Sequence, residues 1–143
     1  MIPSSIVSLV PSLTELLFDL GLEDQVKGRT RFCIHPKEKV KSIPIMGGTK
    51  TPDLEKIRQI NPDLIIANRE ENRKEHIEEL QREFEVMVTE IGTTEEALFE
   101  IHEIGKKCGV PESAEKLNFE IQQELHRVPD VKPLTAAYLI WRK

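Results

Sequence analysis

The residue types most able to do chemistry stand close together at Cys33 and His35, which are separated by one residue. A thiolate and an imidazole could ligate a metal ion, or act together as a nucleophile and its base. A structural metal site usually has four ligands, however, and no second pair follows at a spacing typical of zinc sites. A catalytic pair needs a third group to orient the base, and the sequence indicates none. We therefore predict neither a metal site nor a catalytic centre.

A glycine-rich segment, Gly47-Gly48-Thr49-Lys50, shares residue types with phosphate-binding loops. It lacks the first glycine of a P-loop, and no helix is expected directly after the lysine. We interpret this segment as flexible backbone beside a ligand rather than as a phosphate-binding loop. A small α/β enzyme that acts on a phosphorylated or nucleotide substrate through this segment and His35 stays open as the alternative function.

Composition limits the remaining classes of protein. The chain has 143 residues, of which 38% are hydrophobic and 31% charged, with a net charge of −5. This describes one globular α/β core with at most a small appendage, and the negative charge argues against nucleic acid as a partner. Met1 leads straight into the apolar residues 6–10 without the basic region and cleavage site of a signal peptide. The sequence given therefore predicts a cytoplasmic chain, and it leaves the true compartment of the protein undetermined.

Short β-branched runs alternate with amphipathic stretches, which predicts βαβ units around a parallel sheet covered by helices. The predicted strands are residues 5–10, 26–30, 63–67, 85–91 and 135–141, and the predicted helices are 12–20, 51–61, 72–82, 93–108 and 111–128. Ser12 and Glu15 have the spacing of a capping box at the first helix, and Cys108 is predicted to be a core residue. No sequence remains after the last predicted strand to supply the strands and helix that would cover it. We therefore expect the chain to end inside a second unit or to pair with a partner.

Ligands of open parallel sheets bind beyond the carboxyl ends of the strands, so the residues after each strand are the candidate site. The predicted ligand-binding residues are Pro11, Ser12, Phe32, Cys33, Gly48, Thr49, Asn68 and Arg69. The segment from residue 31 to residue 50 is too long for a routine connection, which favours a functional loop over a surface crossover. The charged run from Arg69 to Glu79 is interpreted first as a solvated helix start and second as a docking surface.

Four stretches carry a resemblance to a known family: IVSLVPSLTELLFDLG at 6–21, GGT at 47–49, PDLEKI at 52–57 and NPDLIIA at 61–67. Together they resemble the helical-backbone (class III) periplasmic-type substrate-binding proteins of ABC importers, most of all the members that bind cobalamin or ferric siderophores. The similarity covers essentially the whole chain.

The resemblance implies a non-enzymatic receptor with two Rossmann-like lobes joined by one long, stiff helix. Residues 1–109 would form the first ligand-binding lobe, 110–130 the interlobe helix and 131–143 the start of the second lobe. The resemblance implies no resident cofactor; the ligand in the cleft would be cobalamin, haem or a ferric siderophore. Such receptors work outside the cytoplasmic membrane.

The resemblance also implies roles for single residues. Aromatic side chains lie against the corrin ring in cobalamin-binding relatives, whereas this chain has Gly48, Thr49 and Asn68 where two of them are expected. Glu71 and Glu75 fall near the position whose acidic side chain docks on arginines of the importer's membrane subunits. The expected partners are therefore a small ligand and these subunits, with a dimer through the terminal strand as a third alternative.

Overall fold

Four parallel strands form one sheet in the computed structural model, which describes residues 1–129 and 132–138. The strands are β1 (Ile6–Ser8), β2 (Val26–Arg29), β3 (Leu64–Asn68) and β4 (Val86–Thr89). Their order across the sheet is β2-β1-β3-β4. β1 pairs with β2 and β3, and β3 pairs with β4, all in parallel. The α/β fold class and the first four predicted strands are confirmed.

Five helices flank this sheet, and a short 3-10 turn (Val40–Ser42) interrupts the long loop. The helices are α1 (Pro11–Asp19), α2 (Leu54–Ile60), α3 (Lys74–Leu80), α4 (Thr94–Lys107) and α5 (Pro111–His126). α2 begins three residues later than expected, because Asp53 caps it by accepting a hydrogen bond from the Lys56 nitrogen at 3.1 Å.

The start of α1 differs from the prediction. Val10 is the N-cap and no side chain caps the helix, so the Ser12–Glu15 capping box is wrong. Pro11 occupies the first helical position, where its fixed φ suits the helix and its missing N–H costs nothing. The helix therefore begins before Ser12 can act as a cap. By contrast, the capping box at α4 is real: the Thr93 hydroxyl accepts from the Glu96 nitrogen, and the Glu96 carboxylate accepts from the Thr93 nitrogen.

Two apolar clusters lie on the two faces of the sheet, because successive strand residues point to opposite faces. Ile6, Leu64 and Ile66 pack against α1, α4 and α5. Val7, Ile65 and Ala67 pack against α2 and α3. Cys108 lies in the first cluster at 2% exposure, as predicted.

The C-terminal part differs most from expectation. α5 packs against α4 through its first half, where Ala114 is fully buried, whereas Leu125 and Val128 near its end are exposed. Residues 135–138 form no strand and Tyr138 is exposed, so the predicted fifth strand is wrong over this part. Residues 139–141 lie outside the described residues.

Across the described ranges, no helix combines the length and apolar character needed to cross a membrane.

Candidate ligand-binding site

The loops that follow the four strands lie at one edge of the sheet, because all the strands run in the same direction. They comprise residues 9–12, 30–36, 69–73 and 90–93, and a further segment, 47–51, joins them. The nitrogen of Arg31 donates to the Gly47 carbonyl at 2.9 Å, which ties that segment to the loop after β2. We call these five segments the platform. Ligands of open parallel sheets bind at this edge, so the platform is the candidate site.

Asn72 holds three platform segments together. Its Nδ2 donates to the Leu9 carbonyl at 3.2 Å and to the Thr49 carbonyl at 3.0 Å, and its Oδ1 accepts from the Asn68 nitrogen at 2.9 Å. The side chain is buried, at 6% exposure, so these bonds are not in competition with water. The sequence analysis missed this residue, because a polar residue before a helix has the appearance of a solvated cap.

Asn68, a predicted ligand residue, has its amide engaged in hydrogen bonds within the chain. Its Nδ2 donates to the carbonyl and hydroxyl of Thr89 at 3.3 and 3.2 Å. Its Oδ1 accepts from the nitrogens of Glu70 and Glu71 at 3.0 and 3.2 Å. Asn68 therefore shapes the turn after β3. Its neighbour Arg69 is exposed and forms an ion pair with Glu90, Nη1 to Oε2, at 2.7 Å.

The glycine-rich segment brings backbone close to an aromatic ring. Gly47 has a φ of 84°, and a Cβ there would lie 2.6 Å from the Thr51 carbonyl oxygen, so only glycine fits without strain. A Cβ on Gly48 would lie 3.6 Å from Cε2 of Phe32. The absence of a side chain at Gly48 therefore leaves the ring of Phe32 accessible on that side. Thr49 is buried, at 7% exposure, and its carbonyl accepts from Asn72.

Phe32 and Cys33 are adjacent in sequence but differ completely in exposure. Phe32 is 58% exposed, as is Ile34 in the same loop, and its ring offers an aromatic surface on the platform. Cys33 is fully buried, with Sγ 3.2 Å from the Thr30 hydroxyl oxygen. The Cys33 thiol therefore points into the interior, and a role of this residue in ligand binding stays a prediction. His35 is exposed, and among the described residues no group of three His, Cys, Asp or Glu side chains converges as a metal site would.

The remaining predicted residues lie at the rim. Pro11 is half-buried at the start of α1, and Ser12 beside it is exposed. Glu71 and Glu75 are exposed at and just before the start of α3, as a docking surface requires. The neighbouring Lys74 contacts Glu78, Nζ to Oε1, at 3.5 Å.

Exposed charges of both signs lie on the platform, where Arg31, Lys50, Arg69 and Arg73 are accompanied by Glu70, Glu71 and Glu90. Lys50 donates from Nζ to the Glu70 carbonyl at 2.5 Å, and Arg69 is paired with Glu90. Arg31 is exposed and forms no ion pair with any described carboxylate. The platform therefore combines an aromatic face, open backbone and positive side chains. Such groups can hold a flat, partly apolar molecule that carries negative charge.

Known proteins resemble the chain over most of its length. The family model described as "Periplasmic binding protein" matches residues 6–133. The vitamin B12-binding protein of Pectobacterium carotovorum subsp. carotovorum (strain PC1) is 26% identical over 128 residues, which is 89% of this chain and 46% of that protein. A Bacillus subtilis (strain 168) protein, described as the uncharacterized ABC transporter substrate-binding lipoprotein YvrC, is 42% identical over 66 residues, which is 46% of this chain and 20% of that protein.

The fold is shared with a solved structure. A periplasmic heme-binding protein from Pseudomonas aeruginosa superposes with a TM-score of 0.82 at 25% identity, covering 88% of this chain and 46% of that one. The chain thus spans about half the length of the relatives that it matches along most of its own sequence. Because the family model covers far more than half of the chain, the chain belongs to the periplasmic binding protein family.

Proposed function

We propose that this chain forms one wall of the ligand cleft in the substrate-binding protein of an ABC importer. The observation that carries the proposal is the platform itself: Asn72 fastens three loops into one edge, and Phe32 stands exposed on it. A surface fixed in this way loses little conformational entropy when it binds, as a receptor site requires. Membership of the periplasmic binding protein family supports the same role.

The ligand that fits this wall is a metal chelate with a flat or apolar face and negative charge. Phe32 offers a stacking surface beside Gly48, and Arg31 offers a guanidinium to carboxylate or other anionic groups. Haem, with its two propionates, satisfies both requirements, as do those ferric siderophores whose iron complexes are anionic. Cobalamin satisfies the first, and the B12-binding relative keeps it among the candidates.

The proposed division of the chain follows from α5. Residues 1–109 form the first lobe, 110–130 the interlobe helix, and 131–143 the start of a second lobe. The end of α5 and the residues just after it support this division, because Leu125 and Val128 are 45% and 67% exposed and together leave an apolar surface to be covered. The share of the relatives' length that the chain spans is also what one lobe and a connecting helix would give.

Contact with the importer is assigned to Glu71 and Glu75. Both side chains are exposed at one end of α3, next to the platform. Carboxylates in this position can meet arginines of a membrane subunit as bidentate pairs. The enzymatic alternative has less support, because Cys33 is buried and Lys50 is bonded to a backbone carbonyl.

Binding to the 143-residue chain tests the proposal directly. Haemin, a ferric siderophore and cyanocobalamin are titrated in turn, with absorbance and thermal melting as readouts. At least one of them is expected to bind and raise the melting temperature. Phe32→Ala should weaken that binding about tenfold or more, since a buried aromatic side chain contributes roughly 1.5–3 kcal/mol.

Phe119→Ala is the matched control, because Phe119 is 61% exposed on α5, away from the platform. It should leave the affinity unchanged. Equal losses in the two variants, or no melting shift with any of the three ligands, would contradict the proposal.

A further inference from the structure

Arg29, at the end of β2, is a buried guanidinium without a carboxylate partner. The residue is 7% exposed, and no carboxylate of residues 1–129 or 132–138 forms an ion pair with it. Its Nε donates to the Val40 carbonyl at 2.7 Å, and its Nη1 donates to the carbonyls of Thr30 and Cys33 at 3.2 and 3.1 Å. These bonds fix the loop after β2, but they leave the positive charge without an anion.

The hydrogen-bonding capacity of Arg29 is not exhausted by these contacts. A guanidinium has five N–H donors in a fixed fork, and the three carbonyls use the one on Nε and the two on Nη1. Nη2 donates to no described residue. A buried charge is costly unless it is both paired and fully hydrogen-bonded. The two remaining N–H groups are therefore available to an anionic group.

A groove of about 470 Å³ adjoins this guanidinium, within the size range of small-molecule sites. Its lining residues are Arg29, Ile34, His35, Lys37, Val40 and Lys41. Ile34 and Val40, with the hydrocarbon stems of the lysines, make its walls mostly apolar. Lys37 and Lys41 bring positive charge to the lining, and Glu38 pairs with Lys41 at 2.8 Å without lining the groove itself.

We propose that this groove is an anion-binding site for a small amphiphile, with one carboxylate or phosphate at Nη2 of Arg29 and a short apolar body against Ile34 and Val40. The inference goes beyond the proposed function. Ile34 and His35 lie on the platform loop 30–36, but no groove residue belongs to the predicted ligand-binding set, and the site requires only residues of this chain. A purely structural Arg29 would explain the three carbonyl bonds, but not the cationic, apolar-walled groove beside it.

Titration of the ¹⁵N-labelled 143-residue chain with four probes tests the site. Octanoate and octyl phosphate carry both features, 1-octanol lacks the charge, and inorganic phosphate lacks the apolar body. Saturable amide shift changes confined to residues 29–41 are expected with octanoate, octyl phosphate or both, and their relative affinity identifies the preferred anion. The other two probes should bind at least about tenfold more weakly, the factor that one charge-assisted hydrogen bond supplies.

Several results would overturn the proposal. They are octanol or inorganic phosphate binding as tightly as the amphiphiles, no saturation with either amphiphile, and shift changes centred on residues 47–51 and 68–72. The last result would assign the anion to the platform, so failure here is distinguishable from failure of the proposed receptor function.

Two variants test whether the positive charges of the groove, rather than the folding of the chain, determine binding. Lys37→Gln combined with Lys41→Gln leaves the hydrogen bonds from Arg29 to backbone carbonyls intact. This double variant should bind octanoate severalfold more weakly, and its affinity should depend less on salt. The matched control changes Lys74 and Lys116, which are 82% and 78% exposed and remote from the groove, to Gln. Arg29→Met should abolish the preference for octanoate over octanol. Wild-type affinity in the double lysine variant, or a preserved preference in a folded Arg29→Met chain, would contradict the site.

Discussion

Gly105 on α4 and Ala114 on α5 pack so closely that one additional methyl group has no room between them. A Cβ built on Gly105 would lie 2.3 Å from the Cβ of Ala114 and 3.2 Å from the Val110 carbonyl oxygen. Both residues are buried, and this contact sets how closely the first half of α5 approaches α4.

Gly105→Ala should therefore destabilise the chain. Alanine favours the helix by about 1 kcal/mol over glycine. Overpacking a tight contact costs roughly 1–3 kcal/mol. Because the obstacles are another Cβ and a backbone oxygen, neither can rotate away, and the steric cost should exceed the propensity gain. A loss of about 1–2 kcal/mol in the free energy of unfolding is expected in urea titrations.

The control for this variant is Gly92→Ala, whose added methyl group would meet only the flexible carboxylate of Glu96 at 3.2 Å. It should change stability by no more than about 0.5 kcal/mol. An unchanged or increased stability in Gly105→Ala would show that the two helices can separate at little cost.

Asn72→Ala should loosen the platform. The substitution leaves the carbonyls of Leu9 and Thr49 and the nitrogen of Asn68 without their buried partner, and each such loss costs roughly 1–3 kcal/mol. We expect lower stability and faster amide hydrogen exchange in residues 47–51 and 68–72.

Asn118→Ala provides the comparison, because the Asn118 amide is half-buried and bonds to the Leu98 carbonyl, between α5 and α4. It should lower the stability without selectively accelerating exchange in the platform. The assignment of Asn72 as the organising residue fails if the two variants give the same exchange pattern.

Asp63 should make the stability of the chain depend on acid pH. Hydrogen bonds from the Ser4 hydroxyl, the Ser4 nitrogen and the Ser5 nitrogen lower the pKa of its carboxyl in the folded chain. The unfolded chain then binds more protons than the folded chain, so this stabilisation is fully present above the ordinary pKa of about 4 and is lost as the pH falls below it. Unfolding titrations between pH 6 and pH 2.5 should show a smaller loss in Asp63→Asn than in the wild type.

Glu23 and Glu83 act in the same direction, because hydrogen bonds from Lys39 and Arg58 lower their pKa values. Their contribution to the loss of stability at acid pH should therefore remain in the Asp63→Asn variant. Asp19→Asn removes one exposed carboxylate and controls for the change in net charge. A wild-type pH profile in Asp63→Asn would contradict the role of these bonds.

The two cysteines should be unreactive in the native chain. Cys33 and Cys108 are 0% and 2% exposed, and burial raises the pKa of the Cys108 thiol to about 11. Since the thiolate is the reactive form, Ellman's reagent at pH 8 should label neither residue until denaturant is added, after which both react. In Cys33→Ser, which isolates Cys108, labelling should follow unfolding. Rapid labelling under native conditions would contradict the burial of these side chains.

Much of the fold could be predicted because its signals are local. Short runs rich in apolar residues marked β1, β3 and β4, whereas β2 has one apolar side chain, Val26. Thr93 with Glu96 marked the start of α4. Local rules conflicted at α1, where Pro11 and Ser12 both favour a helix start and only one can occupy the position. The segment 135–138 has strand-forming residues, but a strand also needs a neighbour to accept its hydrogen bonds, and the described chain provides none.

The sequence by itself determined the family motifs, the α/β class and the edge of the sheet where a ligand would meet the chain. Only the tertiary structure decided which side chains at that edge are free to bind. Asn72 bonds to Leu9 and Thr49, which are 63 and 23 residues away, and Cys33 turns inward while Phe32 remains exposed. Such roles depend on contacts between distant segments, and periodicity within one segment carries no information about them.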